Sequence, residues 1–88
     1  MNAEQVKKFI ETKITNKDKY VKIEFVKRDP IYGLFITGED YKDLSSKNFW
    51  RIVTSKNFDA YSKSRDINLA KLFNGFEFSK LSLLSDEF

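Results

Sequence analysis

The side chains best equipped for chemistry are basic and aromatic residues that alternate within one third of the chain. Lysine and arginine hold phosphates and aromatic rings stack on bases, so the two together are typical of single-strand binders. Alternatively, the rings belong to the core and the lysines only keep the surface soluble, and we favour this second interpretation. The basic residues are Lys47, Arg51, Lys56, Lys63 and Arg65, and the aromatic ones are Phe49, Trp50, Phe58 and Tyr61.

Carboxylates are also present, but their spacing defines no acid–base pair. We interpret them as solvated loop charges. The chain has no histidine and no cysteine, which excludes imidazole general bases, disulfides and the usual zinc sites. It also lacks a glycine-rich phosphate loop and a nucleophile elbow, so we predict a non-enzymatic protein without cofactor or metal. The carboxylates considered are Glu39, Asp40, Asp43 and Asp59.

Composition predicts one small folded domain over residues 1–88, with 41% hydrophobic and 16% aromatic residues. The net charge of +3 comes from 16 basic and 13 acidic residues, and a dedicated DNA-binding domain is usually less evenly balanced. No apolar run approaches the roughly 18 residues that span a bilayer. Residues 1–5 lack the basic start of a secretion signal. We therefore expect a cytoplasmic protein that does not contact membranes.

The chain opens with the signature of an amphipathic helix. Asn2 and Gln5 have the spacing of a capping box, and the helix is expected to run to about Lys13. Polar residues 16–19 then form a connection. The apolar stripe consists of Val6, Phe9, Ile10 and Ile14, at the spacing of one helix face.

Three strands are predicted next. Residues 21–25 alternate apolar and polar side chains, as in a half-buried strand, whereas 31–37 are apolar on both faces and suit a central strand. Gly33 inside that strand indicates a bend or the close approach of another backbone, and a strongly curved strand suits a small barrel. Residues 38–47 are expected to form a polar loop or hairpin end, and 49–53 a third strand.

The second half of the chain leaves two assignments open. Residues 57–64 form either a helical turn or a short strand. Either residues 66–73 form a helix capped by Asp66, or residues 69–73 form a strand that pairs with 77–83 across the Asn74-Gly75 turn. We favour the hairpin, because the alternating segment after the turn needs a partner.

This order of elements resembles the Sm-like (LSm-type) small β-barrel family. The first Sm motif is an alternating strand, a turn, and then two apolar residues that flank a glycine, as in Val21–Phe25 and Ile31–Phe35. The second motif begins apolar-Arg-Gly and continues with apolar residues at fixed spacing. Phe73–Leu81 has that spacing, with Asn74 where arginine is expected.

The resemblance covers most of residues 4–84 and implies an α+β fold. An N-terminal helix over 1–15 would pack on a curved, mostly antiparallel five-stranded sheet or small barrel over 20–84. Sm proteins bind RNA by base stacking, an Asp/Asn pair and the Arg-Gly of the second motif. In this chain the loop after strand two is longer, it lacks the expected aspartate, and the arginine is absent.

The resemblance therefore implies a non-enzymatic binding module for single-stranded RNA with an altered site. Lys47 and Asn48 are the nearest match to the family asparagine, Trp50 and Arg51 follow them, and Asn74 replaces the arginine. The alternative is a protein–protein interaction or self-assembly domain with no nucleic-acid role. In that case the chain would contact itself through the C-terminal strand edge, with Leu81, Leu83, Leu84 and Phe88 as apolar contacts.

Overall fold

A computed structural model of the chain describes residues 1–14 and 20–83. Within these residues it contains three α-helices, five β-strands and three single turns of 3-10 helix. The helices are α1 (Ala3–Lys13), α2 (Tyr41–Ser46) and α3 (Phe58–Ser64), and the 3-10 turns are Ser55–Asn57, Ile67–Leu69 and Gly75–Glu77. The strands are β1 (Val21–Phe25), β2 (Ile31–Ile36), β3 (Phe49–Thr54), β4 (Lys71–Asn74) and β5 (Phe78–Leu83).

The described strands form one antiparallel sheet in the order β4-β3-β2-β1-β5. This confirms the predicted α+β class, with an N-terminal helix and five strands. The last strand pairs with the first along most of its length. However, β4 and β5 lie at opposite edges in the described residues, so the sheet is open. The closed small barrel considered for residues 20–84 is therefore wrong.

Helix α1 is capped as its sequence predicts. The side chain of Asn2 accepts a hydrogen bond from the amide of Gln5 at 2.8 Å, and the Gln5 side chain accepts one from the amide of Asn2 at 2.9 Å. The helix ends at Lys13, as expected. Its apolar stripe faces the sheet, because Val6 and Ile10 are buried in the core cluster.

The core lies between α1 and one face of the sheet. The alternation of β1 is confirmed, since Val21, Ile23 and Phe25 are all buried. Gly33 is also explained by close packing, because a Cβ atom there would collide with the side chain of Ile52. The buried core cluster is completed by Phe35, Trp50, Ile52, Phe78, Leu81 and Leu83.

Two segments are more helical than the sequence indicated. Residues 38–47, predicted as a loop, contain α2. The ambiguous segment 57–64 forms α3, although the Asn57 side chain makes no capping hydrogen bond. Both helices contact β3, so tertiary packing supplies stability that short local sequences lack.

The predicted hairpin across Asn74-Gly75 is wrong, because β4 pairs with β3 and β5 pairs with β1. The helix over 66–73 is wrong too, since only Ile67–Leu69 is helical, as one 3-10 turn. Within the described residues no glycine has positive φ, so Asn74 and Gly75 do not form the expected tight turn. Instead, the Asn74 side chain accepts a hydrogen bond from the amide of Phe76 at 2.9 Å and starts a 3-10 turn. That turn carries the chain from one edge of the sheet to the other.

Candidate nucleic-acid interface

Asn48, one of the predicted RNA contacts, is a buried structural residue. It has 2% of its surface exposed and a positive φ of 62°. Its side-chain nitrogen Nδ2 donates to the carbonyl of Met1 at 2.9 Å, and its side-chain oxygen Oδ1 accepts from the indole nitrogen of Trp50 at 2.7 Å. Its own carbonyl accepts from the amide of Gly75 at 2.8 Å. The polar groups of Asn48 are thus engaged within the protein, as expected for a buried amide.

Trp50, the predicted stacking ring, lies in the core with 2% exposure. The rings of Phe35 and Tyr41 approach it edge to face, with centroids 6.3 Å and 6.0 Å away. A base could not stack on this ring without opening the core. The ring therefore contributes to the fold.

Gly75 packs against the side chains of Asn48 and Trp50. A Cβ at Gly75 would collide with the side-chain oxygen of Asn48 and would lie 2.7 Å from the indole nitrogen of Trp50. The amino group of Met1 donates to the carbonyls of Gly75 and Phe78 at 3.0 Å and 2.6 Å. We call Met1, Asn48, Trp50 and Gly75 the Asn48 cluster. It joins the start of α1, the start of β3 and the turn before β5.

The predicted cations are held by carboxylates. Arg51 donates from Nη2 to Asp40 at 2.5 Å and from Nε to the same carboxylate at 3.1 Å and 3.3 Å. The hydrogen bond from Arg51 holds the pKa of Asp40 below its ordinary value. Lys47 pairs with Asp43 at 3.6 Å across one helical turn, where both side chains are exposed. Two of the carboxylates considered for acid–base chemistry thus balance nearby cations.

The five predicted site residues do not form one surface. Trp50 and Arg51 are neighbours in β3 and point to opposite faces of the sheet. Asn74 is half-buried and starts the 3-10 turn through its side chain, while Lys47 lies in the exposed connection before β3. Strand alternation already predicts this separation from the sequence. It places Phe49, Arg51 and Val53 on one face of the strand and Trp50 and Ile52 on the other.

A groove lies between the β1–β2 turn and the 3-10 turn before β5, with a volume of about 540 Å³. We call it the turn groove. Its most accessible apolar side chains are Val26 and Phe76, with 65% and 66% of their surfaces exposed. The amide of Val26 donates to the carbonyl of Glu77 at 3.0 Å and holds the two turns together. The turn groove is lined by Phe25, Val26, Lys27, Arg28, Phe76 and Glu77.

The charges of the turn groove are available to a ligand. The guanidinium of Arg28 lies 4.8 Å from the ring centroid of Phe25. Within the described part of the chain, neither Lys27 nor Arg28 forms an ion pair, and the Glu77 side chain forms none. From sequence alone, residues 27–30 are expected only as a turn and Phe76 only as a strand residue. The sequence feature that could have indicated this groove is the basic pair Lys27-Arg28 between two predicted strands. Its aromatic partner, Phe76, is distant in sequence.

The sheet also has a free edge at β4, which pairs only with β3 in the described residues. Leu72 on this strand has 52% of its surface exposed, and Phe49 is exposed on the adjoining β3. At the other edge, the β5 residues Leu81 and Leu83 are buried in the core. Their side chains therefore cannot provide the predicted apolar contacts, and Leu84 and Phe88 lie outside the described residues.

Comparisons of the chain with protein families, with curated proteins and with solved structures found no match. Among residues 1–14 and 20–83, no helix is both long enough and apolar enough to cross a bilayer. In the same residues, no three acidic side chains converge as a metal-ligand set.

Proposed function

We propose that this protein is a non-enzymatic binding module that holds a single-stranded nucleic acid, with RNA as the expected form, in the turn groove. One observation carries the proposal: the exposed ring of Phe76 shares the groove with Lys27 and Arg28, which have no acidic partner in the described residues. Phosphate-binding cations beside an accessible ring are what a single strand requires.

Each part of the groove has a role in this proposal. Stacking of one base on an aromatic ring contributes about 1–3 kcal/mol, and Phe76 is the ring that protrudes enough to accept it. Lys27 and Arg28 can contact the phosphates on either side of that base. The volume falls within the range of about 300–1,000 Å³ for sites that hold one small ligand. We therefore expect one nucleotide in the groove and the rest of the strand along the surface.

The Sm-like resemblance remains part of this proposal. It is supported by a helix before five antiparallel strands, a glycine in the second strand, and a last strand beside the first. The proposed groove replaces the site that the resemblance implied, because Asn48 and Trp50 are buried in the protein.

Salt-dependent binding of labelled oligonucleotides tests the proposal. Single-strand binding weakens with salt by a log–log slope of about −0.7 per neutralised phosphate, so two cations predict a slope of about −1.4. Arg28→Ala should halve that slope and weaken binding. Lys47→Ala is the matched control, because Lys47 is exposed but paired with Asp43 outside the groove. RNA and DNA of the same sequence show whether the sugar matters. Absence of binding at low salt would reject the proposal.

A second candidate function is self-assembly through β4, and the exposure of Leu72 beside a free strand edge favours it. Exposed edges pair readily with strands of other chains. Leu72→Glu should then shift a concentration-dependent oligomer towards the monomer in light scattering. Val26→Glu, which changes an even more exposed aliphatic residue away from β4, should leave the mass unchanged. A monomeric mass at high concentration would exclude this function.

A further inference from the structure

We propose that Glu77 makes the turn groove selective for guanine over the other bases. The inference rests on the proposed function, because it concerns the base that stacks on Phe76. The groove is lined by one exposed aromatic ring, one buried aromatic ring, two cations and one carboxylate. Of these, the carboxylate has no role in holding phosphates. A negative charge there opposes a polyanion unless it contacts the base itself.

Phe76 and Glu77 are presented by a fixed piece of backbone. They are consecutive residues of a single 3-10 turn. The amide of Phe76 donates to the Asn74 side chain at 2.9 Å, and the carbonyl of Glu77 accepts from Val26 at 3.0 Å. The ring and the carboxylate therefore lie on a backbone anchored at both ends, and both residues line the turn groove. In this assignment the edge of a base stacked on the ring faces the neighbouring carboxylate.

The chemistry of an ionised carboxylate selects the base. Its two oxygens only accept hydrogen bonds, and they bind best to two parallel donors, as in bidentate pairs with arginine. The free Watson–Crick edge of guanine offers two adjacent donors, the ring N1–H and the exocyclic N2 amine. Adenine and cytosine each offer one amine beside an acceptor nitrogen. Uracil offers one N–H between two carbonyl oxygens, which repel the carboxylate.

The test uses uracil-rich RNA oligomers that differ only at one central base: guanine, hypoxanthine, adenine or uracil. Hypoxanthine is guanine without the N2 amine, so it removes one of the two donors and leaves the ring otherwise unchanged. A bidentate contact to a base typically discriminates by about fivefold or more. We expect the guanine oligomer to bind at least about fivefold tighter than the uracil oligomer, with hypoxanthine and adenine between them.

Two variants locate the contact. Glu77→Gln keeps the size of the side chain but replaces one acceptor by a donor, so the guanine preference should disappear while salt-dependent binding remains. Glu39→Gln is the control, because Glu39 is exposed and does not line the turn groove. Glu77 is itself exposed, and unchanged circular dichroism of each variant checks that the fold is intact.

The outcomes separate this inference from the proposed function. Equal binding of all four oligomers, or a guanine preference that survives Glu77→Gln, would overturn the base selectivity and leave nucleic-acid binding standing. If no oligomer binds at low salt, for example because the groove holds an acidic peptide instead, both proposals fail. Guanine preference in the wild type and Glu39→Gln, lost in Glu77→Gln, supports the assignment.

Discussion

Replacing Asn48 by alanine should destabilise the fold by about 3–5 kcal/mol. The indole N–H of Trp50 would remain buried without its acceptor, which costs about 1–3 kcal/mol. The carbonyl of Met1 would lose a hydrogen bond worth about 1 kcal/mol. Alanine at a positive φ adds about 1 kcal/mol of backbone strain. Because native proteins have only about 0.05–0.15 kcal/mol of stability per residue, this loss is a large share of the total.

Two further variants divide that loss into its causes. Asn48→Gly removes the same hydrogen bonds but tolerates the φ of 62°, so it should be about 1 kcal/mol more stable than Asn48→Ala. In a Trp50→Phe background the buried donor is absent, so Asn48→Ala should cost about 1–3 kcal/mol less than in the wild type. Asn48→Ala, Trp50→Phe and their combination form a double-mutant cycle, and Asn48→Gly separately measures the backbone strain.

The assay is urea unfolding followed by far-ultraviolet circular dichroism. In the parent chain, the emission of Trp50, the single tryptophan, gives a second probe. Coincident transitions by the two signals establish two-state unfolding, which the free energies require. A loss of unfolding free energy below about 1 kcal/mol for Asn48→Ala would refute the reasoning, because a buried indole N–H without an acceptor should by itself cost more than this. It would mean that Asn48 does not satisfy the indole in the folded protein.

Two further predictions concern packing and pH. Gly75→Ala should unfold or strongly destabilise the protein, because the new Cβ would collide with the buried side chain of Asn48. Gly38→Ala is the matched control, since the nearest heavy atom lies 3.3 Å from its Cβ, and thermal melts compare the two. The pKa of Asp40 is lowered by its hydrogen bond from Arg51, so this pair stabilises the fold above the ordinary carboxyl pKa and loses effect as pH falls through the lowered value. Asp40→Asn should therefore flatten part of the acid limb of stability against pH, and an unchanged limb would contradict the pairing.

Local patterns predicted the elements whose determinants lie close together in sequence. The capping box of α1 needs only Asn2 and Gln5, and the burial of β1 follows from its alternation. The 3-10 turn at Gly75–Glu77 depends on contacts with Asn48 and Trp50, which lie far away in the chain. The sequence Asn74-Gly75 therefore predicts a tight turn, although in the structure the glycine allows close packing against Asn48.

The candidate site could not be predicted for a related reason. Strand alternation shows that Trp50 and Arg51 lie on opposite faces, but it does not show which face is buried. That choice depends on α1 and on the Asn48 cluster. The turn groove could not be predicted from the sequence because Arg28 and Phe76 are distant from each other in the chain. The pairing of β1 with β5 and the hydrogen bond from Val26 to Glu77 bring them together.

The Asn48 cluster and the turn groove are two sides of the same 3-10 turn. The amide of Gly75 donates a hydrogen bond to the carbonyl of Asn48. The amino group of Met1 donates to the carbonyls of Gly75 and Phe78. These contacts lie immediately before and after Phe76 and Glu77, the residues proposed to recognise the base. The contacts that stabilise the fold therefore also position the two residues that are proposed to recognise the base. Binding in the groove should in turn stabilise the folded state according to ligand concentration, because the unfolded chain does not hold the two turns together.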